Sequence, residues 1–181
     1  SRGLGDVYKR QVKSNTRKYF WTGTIVTKGG MTYEFGAKEI VKGSGYISRQ
    51  CCGSTEIELG TVYAAEMGIT LLSDIDRYTL EDAQVTLVFH LVLADGSVED
   101  VPMGVFEVSE ANRLAKCLEL KAYDFMLRFD KSFNGFETVG TAYDFIALCC
   151  KRCKVEFANK RAEIDAMPNG GVTLSVYTEN D

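Results

Sequence analysis

The sequence is poor in several residue types that catalytic and membrane proteins depend on. Its 181 residues include one histidine, two prolines and one tryptophan. No apolar run approaches the ~20 residues that a membrane helix needs, so we expect no membrane insertion by this segment. Any Ser–His–Asp triad, Cys–His pair or histidine-containing metal site would have to use His90. The formal net charge of −4 also disfavours a general binder of polyanions.

The six cysteines do not form a disulfide pattern. Cys51-Cys52 and Cys149-Cys150 are adjacent pairs, and a chain of this size does not need disulfide staples. We therefore expect reduced thiols and synthesis in the cytoplasm. Cys150 and Cys153 form a C-x-x-C motif, but it closes a predicted helix, whereas redox enzymes place that motif at a helix start. A zinc site would need a second pair of cysteine ligands, and the adjacent Cys51-Cys52 lacks the usual spacing between zinc ligands. Cys149 and Cys153 are predicted to be packing thiols, with no metal.

Alternation of apolar and polar residues predicts a mainly β protein. The strongest strand, 85–93, is apolar on both faces, so both must be covered, by the domain itself or by a partner. Asp95-Gly96 predicts a hairpin turn, and Pro102 an edge or a bulge. Segments 73–82 and 123–129 are predicted as a loop and a helical turn. The other predicted strands, rich in β-branched and aromatic residues, are 19–26, 31–35, 39–41, 46–49, 55–59, 63–71, 98–101, 104–108 and 118–122.

The apolar period changes to three and four residues after residue 135. This predicts a helix over 141–154, with Thr141 as its cap and Asp144 in the capping-box position. Two strands, 155–157 and 172–177, are predicted beyond it, joined across 168–171. The fold class is thus mainly β (α+β): a partly closed, barrel-like antiparallel sheet, with one helix after residue 140.

Three regions are expected along the chain. Residues 1–11 resemble translated sequencing adapter and are expected to be a non-native tail. Residues 12–135 form the β-rich domain, and 136–181 begin a second, truncated subdomain. The chain is expected to be a fragment at both ends.

The acidic loop and the histidine are the first candidates for chemistry. Asp74, Asp76 and Asp82 offer paired carboxylates of the kind that glycosidases and calcium sites use. Their spacing does not match a calcium loop, and solvated loop charge is the favoured interpretation. His90 is interpreted as a histidine packed on the second face of a covered strand.

Two further segments are weighed for phosphate binding. Gly43-Ser44-Gly45 lacks the third glycine of a dinucleotide loop, so a turn is favoured. Residues 1–28 hold seven lysines or arginines against Asp6 alone, and a basic arm of this kind contacts DNA phosphates in other proteins. Three of the seven lie in 1–11. The other four are expected to be ordinary surface charge unless they line a lumen. The sequence predicts no catalytic, cofactor-binding or metal-binding residue.

Three segments carry a resemblance to a known family. They are Glu58-Leu-Gly-Thr-Val-Tyr-Ala-Ala-Glu66, Pro102-Met-Gly-Val-Phe106 and Leu120-Lys-Ala-Tyr-Asp-Phe-Met126. In order and spacing they resemble the amino-terminal part of a phage tail hub, or tail-tip baseplate, protein, over residues 18 to 155.

The resemblance implies a virion structural protein and not an enzyme. Such hubs use barrel-like domains that trimerise into a ring continuing the tail tube. It implies self-association as a homotrimer, and contact with a tail tube or distal tail protein, the tape-measure protein and a tail fibre or spike. DNA would be passing cargo only. The protein would be assembled in the bacterial host cytoplasm and reside in the virion tail. A peptidoglycan-cleaving region often lies further along in this family.

Two alternatives from other classes remain open. One is a β-barrel module that binds a glycan or receptor at the tail tip, which would show exposed aromatic residues clustered in loops. Most aromatic residues here fall in predicted strands. The other is a small hydrolase that uses the loop 73–82, against which stands the lack of a nucleophile–base pair.

Overall fold

The computed structural model describes residues 18–50, 63–93, 95–132 and 137–177. The chain divides into two compact units, Ser1–Asp124 and Phe125–Asp181. The domain boundary expected from the sequence, at 135/136, lies later in the chain than this division. The expected non-native tail 1–11, the predicted strand 55–59, Cys51-Cys52 and most of the first resemblance segment lie outside the described residues.

The first unit is built on one antiparallel sheet of seven strands. The strands are β1 Lys18–Val26, β2 Thr32–Phe35, β3 Tyr46–Ser48, β4 Glu66–Leu72, β5 Gln84–Val92, β6 Val98–Leu114 and β7 Cys117–Tyr123. Their order is β2-β1-β5-β6-β7-β4-β3, with β2 and β3 at the ends. The predicted class, mainly β with a partly closed antiparallel sheet, is confirmed, and within the described residues the sheet does not close into a barrel.

A bulge joins two predicted strands into one. Segments 98–101 and 104–108 both belong to β6, whose register with β5 shifts between Leu87 and Val88. Leu87 pairs with Gly104 and Val88 with Pro102, so Met103 is the extra residue. Pro102 has no N–H for the ladder and Gly104 adopts a φ of 124°, and both favour a break in pairing here. Of the two alternatives predicted for Pro102, an edge or a bulge, the structure shows the bulge, because β6 lies between β5 and β7.

Three other boundaries differ from the prediction. The strand predicted over 63–71 begins at Glu66. Segment 39–41 forms only an isolated bridge, between Ile40 and Leu71, because its backbone turns after Gly36. The loop 73–82 contains a 3₁₀ turn, Arg77–Leu80, because Asp76 accepts a hydrogen bond from the Tyr78 backbone N–H and caps it.

The core lies on one face of the curled sheet. Alternate residues of β5 point into it, and each pairs across the ladders with other core-facing residues. Burial of one such aromatic or aliphatic side chain contributes roughly 1.5–3 kcal/mol. The buried set includes Ile25, Phe35, Met67, Ile69, Leu71, Val85, Leu87, Phe106, Leu118 and Leu120.

The other face of β5 is only half-buried. Thr86, Val88, His90 and Val92 point to it and are neither fully buried nor fully exposed. We call this face, with the same-side residues of β1 and β6, the outer face. The predicted second apolar face of the strand is therefore real, and it keeps part of its surface accessible.

The second unit combines two helices with a small sheet. Its elements are a 3₁₀ turn Phe125–Phe129, β8 Glu137–Gly140, α1 Ala142–Cys153, α2 Arg161–Asp165 and β9 Leu174–Tyr177. The helix predicted over 141–154 is confirmed. The Thr141 backbone N–H donates to Asp144 Oδ2 at 2.8 Å, as a capping box requires, and Lys154 ends the helix in the left-handed region at a φ of 53°.

The rest of this unit corrects the sequence prediction. Segment 155–157 is not a strand, because it follows the left-handed helix end and packs Phe157 against Tyr143 at a ring distance of 5.4 Å. A second short helix, α2, follows instead, where the Lys160 N–H donates to Glu163. Strand β9 lies within the predicted strand 172–177. It pairs with β8, a strand that the sequence pattern does not predict.

Candidate functional site

A cleft of about 490 Å³ lies where the sheet fails to close. One wall is the start of β1, and the other is formed by β3 and β4 with the segment that precedes β3. Apolar and aromatic side chains dominate its lining, which includes Tyr19, Trp21, Ile40, Tyr46, Ile47, Ile69 and Leu87. Lys42 is the one charged residue among those that line it.

Strand edges without a partner among the described strands border this cleft. β2 pairs with β1 only over Gly23–Val26, whereas β5 pairs with the whole of β1. Among the described strands, the first part of β1, Lys18–Thr22, therefore has a neighbour on one side only. β3 pairs with β4 and with no other described strand. Edges of this kind present backbone N–H and C=O groups that can pair with another chain.

The aromatic side chains of the first wall are packed against β5. The rings of Tyr19 and Trp21 lie 5.5 Å and 5.0 Å from the ring of Phe89. Tyr19 nevertheless stays 61% exposed, because it lies at the mouth of the cleft. Rings held in this way lose little rotamer freedom when a ligand covers them.

Tyr46 is among the residues that line the far side of the cleft, and its side chain is also fixed. Its ring lies over Gly68, where an added Cβ would come within 2.3 Å of it. Its hydroxyl donates to Glu66 at 2.6 Å, which raises the pKa of Tyr46 and lowers the pKa of Glu66. Lys121 also pairs with Glu66, at 3.5 Å. The tyrosine therefore stays protonated at neutral pH.

The Gly43-Ser44-Gly45 segment is a turn at the rim of the cleft. Ser44 Oγ donates to the Val41 carbonyl at 2.7 Å and accepts from the Thr70 N–H at 3.1 Å, which attaches the turn to β4. Gly43 has a φ of 79°, which favours glycine. The residue before it, Lys42, makes no ion pair or side-chain hydrogen bond within the described residues.

Arg49 links the end of β3 to the middle of the sheet. Its guanidinium donates to the carbonyl of Met103, the extra residue of the β6 bulge. A bulge leaves its extra residue outside the ladder, so this carbonyl is available to a side chain. The contact attaches the end of β3 to the bulge of β6.

His90 lies on the outer face in a chain of three polar side chains. Its Nδ1 lies 2.6 Å from Asp100 Oδ1, and its Nε2 lies 2.7 Å from Thr22 Oγ1. The ring also stacks on Phe20, at 4.5 Å between centroids and 13° between planes. The sequence pattern indicates His90 but neither Thr22 nor Asp100, because only the strand register brings β1, β5 and β6 together here.

A hydroxyl, an imidazole and a carboxylate in this order match the layout of a nucleophile, base and acid. Catalysis also requires donors for the oxyanion. Thr22 lies within a strand, where backbone N–H groups lie in the plane of the sheet and do not point to the face that bears its hydroxyl. The set is better suited to linking three strands than to acyl transfer.

The acids of segment 73–82 take part in separate interactions. Asp76 caps the 3₁₀ turn, Asp82 pairs with Lys28 at 2.8 Å, and Asp74 is exposed. Within the described residues, no group of three or more histidine, cysteine or acidic side chains is arranged to hold a metal ion.

The helix cysteines are free thiols. Cys150 and Cys153 are buried, and Cys149 is half-buried. Burial, followed by the neighbouring Cys149 and Cys153, raises the pKa of Cys150. A raised pKa lowers the thiolate fraction, so the environment favours packing over reactivity. The sequence analysis assigned the buried positions to Cys149 and Cys153. The structure instead buries Cys150 with Cys153.

Comparisons with known proteins give little further information. No family model matches the chain, and no curated protein matches it. One solved chain, from the virion of a native gene transfer agent (GTA) particle, is similar at 13% identity with a TM-score of 0.45. The match covers 90% of this chain but 55% of that one, so this chain spans little more than half its length. A similarity this low leaves function to be proposed from the residues.

Among the described residues, no helix has the length and apolar character needed to cross a membrane.

Proposed function

We propose that this chain is a structural component of a phage or prophage tail tip, a baseplate hub that joins the tail tube to the tip and lets DNA pass. The proposal rests on the three resembling segments. Two of them occupy central positions in the sheet: Pro102–Phe106 forms the bulged part of β6, and Leu120–Tyr123 lies in β7.

The outer face is the structural observation that carries the proposal. Phe20, Val98 and Val105 keep 37%, 50% and 38% of their surface exposed, next to the half-buried Val88 and Val92. Charged side chains lie at the margins, at Lys18 and Glu107, and Asp100 is already bonded to His90. A weakly charged, partly apolar sheet face of this kind is typical of a surface that another subunit covers.

The assembly that we propose is a ring of identical subunits, most simply a homotrimer stacked on the tail tube. The tube or distal tail protein, the tape-measure protein and a fibre or spike would be its other partners, and DNA would pass without being bound. The chain would have no enzymatic role.

Immunogold electron microscopy of purified particles tests the proposal. An antibody raised against this chain should label the end of the tail distal to the capsid. Pre-incubation with the purified chain should abolish the label, which controls for cross-reaction. Label on the capsid, or particles that lack the chain, would contradict a tail-tip role. The genes that flank the coding sequence offer a second test, because a tape-measure gene should lie nearby.

The glycan-binding and hydrolase alternatives are not proposed. The exposed rings beside the cleft lie on β1 and β3, and a glycan module was expected to carry them in loops. Asp76 and Asp82 are engaged in a cap and an ion pair, with no nucleophile placed against them in the described part of the chain.

A further inference from the structure

We propose that Asn169 is a deamidation site that the folded second unit protects, so that its modification marks chains in which this unit has opened. The site is the turn 168–171, which follows α2 and leads to β9. The inference uses no residue of the cleft or of the outer face, and it does not depend on the tail-hub proposal.

The backbone of this turn selects its two central residue types. Asn169 has a φ of 63°, in the left-handed region, which asparagine tolerates better than most residues. Gly170 is buried, and a Cβ there would collide with the carbonyl oxygen of Ile164 in α2. Glycine allows so close an approach because it has no side chain. The turn therefore places a glycine directly after an asparagine.

An asparagine followed by glycine is chemically labile, because glycine has no side chain to hinder attack by its own backbone nitrogen. The Gly170 nitrogen bonds to Cγ of Asn169 and loses its proton, while the bond from Cγ to the side-chain nitrogen breaks and ammonia leaves. Water then adds to one of the two carbonyls of the five-membered ring and opens it, which gives aspartate or isoaspartate. One water is consumed and one ammonia released, with no oxidant, cofactor or enzyme.

The folded turn opposes the first step. The Gly170 N–H donates to the Met167 carbonyl at 2.9 Å, so the proton that must leave is held in a hydrogen bond. The Ile164 carbonyl that packs against Gly170 leaves its nitrogen little room to approach Cγ. The Val172 N–H donates to the Asn169 carbonyl at 3.1 Å and holds the same peptide group from the other side. Attack therefore requires the turn to open, and its rate follows the population of the open state.

Isoaspartate at this position would keep the turn open. Its main chain runs through the side-chain carbons and so gains one methylene between residue 169 and Gly170. Gly170 could then no longer keep both its bond to Met167 and its place against Ile164. Opening of the second unit would thus be followed by a modification that prevents it from closing again.

Peptide mapping by mass spectrometry measures the modification at Asn169 and separates it from that at the other asparagine–glycine pair, Asn134-Gly135. The chain and a synthetic peptide of residues 165–173 are incubated side by side at mildly alkaline pH. Asn169 should deamidate at least about tenfold more slowly in the folded chain than in the peptide. In concentrated urea the two rates should become equal.

Variants test whether the fold is the cause. Ile164→Ala removes a buried side chain of α2 and should accelerate deamidation at Asn169 at least about fivefold. Met167→Ala is the matched control, because it shortens an exposed apolar side chain in the same segment, and it should leave the rate unchanged. Asn169→Gly accepts the left-handed conformation and should abolish the signal. Helix circular dichroism shows whether each variant is folded.

Three outcomes would overturn the proposal. Equal rates in the folded chain and the peptide would show that the turn gives no protection. A peptide that does not deamidate would show that the dipeptide is not labile in this sequence. An Ile164→Ala chain that melts at a lower temperature but deamidates at the natural rate would show that modification does not follow opening of this unit.

Discussion

At the scale of single residues, two glycines show how closely the aromatic rings pack. A Cβ at Gly23 would lie 2.2 Å from the ring of Phe35, and one at Gly68 would meet the ring of Tyr46. Phe35 is buried at the end of β2 and Tyr46 is among the residues that line the cleft. Each glycine lets a ring from the adjacent strand lie flat across β1 or β4, so these positions depend on the lack of a side chain.

Gly23→Ala is predicted to destabilise the first unit by about 1–3 kcal/mol, because the Phe35 ring must move within a packed core. Thermal or urea unfolding measures the change. Gly45→Ala is the matched control, since nothing lies within 4 Å of its Cβ position, and it should be close to neutral. Equal stability of the two variants would show that Phe35 relaxes freely.

Asp144 is the residue with the clearest pH dependence. Its carboxylate accepts from Arg161 at 2.5 Å and from the Thr141 N–H, and these bonds hold its pKa well below the usual range. A depressed pKa contributes stability above the unfolded value of ~3.9 and loses it as pH falls towards the folded value.

Asp144→Asn is therefore predicted to lower the melting temperature of the second unit at pH 7, with a smaller difference from the natural chain at pH 3. Helix circular dichroism at both pH values measures this. Asp74→Asn, at an exposed carboxylate, should change neither. A difference that does not shrink with acid would show that the ionised carboxylate of Asp144 is not its cause.

At the scale of elements, the bulge in β6 sets which residues face the core. On one side of Met103, Val105 and Glu107 point to the outer face, and on the other side Asp100 and Pro102 do. Side chains alternate between the two faces with a period of two. The extra residue therefore places Val105 and Glu107 on the same face as Asp100 and Pro102. The bulge also exposes the Met103 carbonyl, which accepts a hydrogen bond from Arg49.

Deletion of Met103 is predicted to be severely destabilising, because it moves Asp100 to the core face and removes it from His90. Met103→Ala keeps the extra residue and should be milder, which makes it the control. Unfolding curves compare the two, and the His90 imidazole resonances report whether the bond to Asp100 persists. A deletion no worse than the substitution would show that the register is not set here.

At the scale of the whole molecule, the outer face predicts self-association. Sedimentation velocity should show a mass that increases with concentration. Val88→Asp should weaken the association or the fold, because a carboxylate at a half-buried position needs water. Val98→Asp, at a position already 50% exposed, should weaken association alone.

Leu114→Asp is the control for this experiment, since Leu114 is 74% exposed at the far end of β6. It should leave the association unchanged. A chain that remains monomeric at high concentration and tolerates Val88→Asp would remove the outer-face support from the hub proposal.

Local elements with strong residue patterns could be predicted without the structure. Strand 85–93 was evident from its apolar residues, the helix 141–154 from its period and its Thr141–Asp144 cap, and the bulge from Pro102. Weak patterns gave a wrong prediction at 155–157, which was predicted as a strand because Val155 and Phe157 are apolar. The left-handed end of the preceding helix and the contact between Phe157 and Tyr143 keep this segment outside a strand. Such short runs contain too little periodicity to separate strand from packed loop.

Contacts between residues far apart in the chain could not be predicted in this way. Thr22 and Asp100 join His90 because three antiparallel strands bring them into register, although 68 residues separate Thr22 from His90. The cleft likewise needs the tertiary structure, which brings Tyr19 and Trp21 of β1 into one lining with Ile47 of β3 and with Lys42. Local propensity acts over a few residues, whereas strand pairing and sheet curvature depend on contacts between distant parts of the chain. The elements could therefore be predicted from the sequence, whereas the cleft and the contacts of His90 with Thr22 and Asp100 could not.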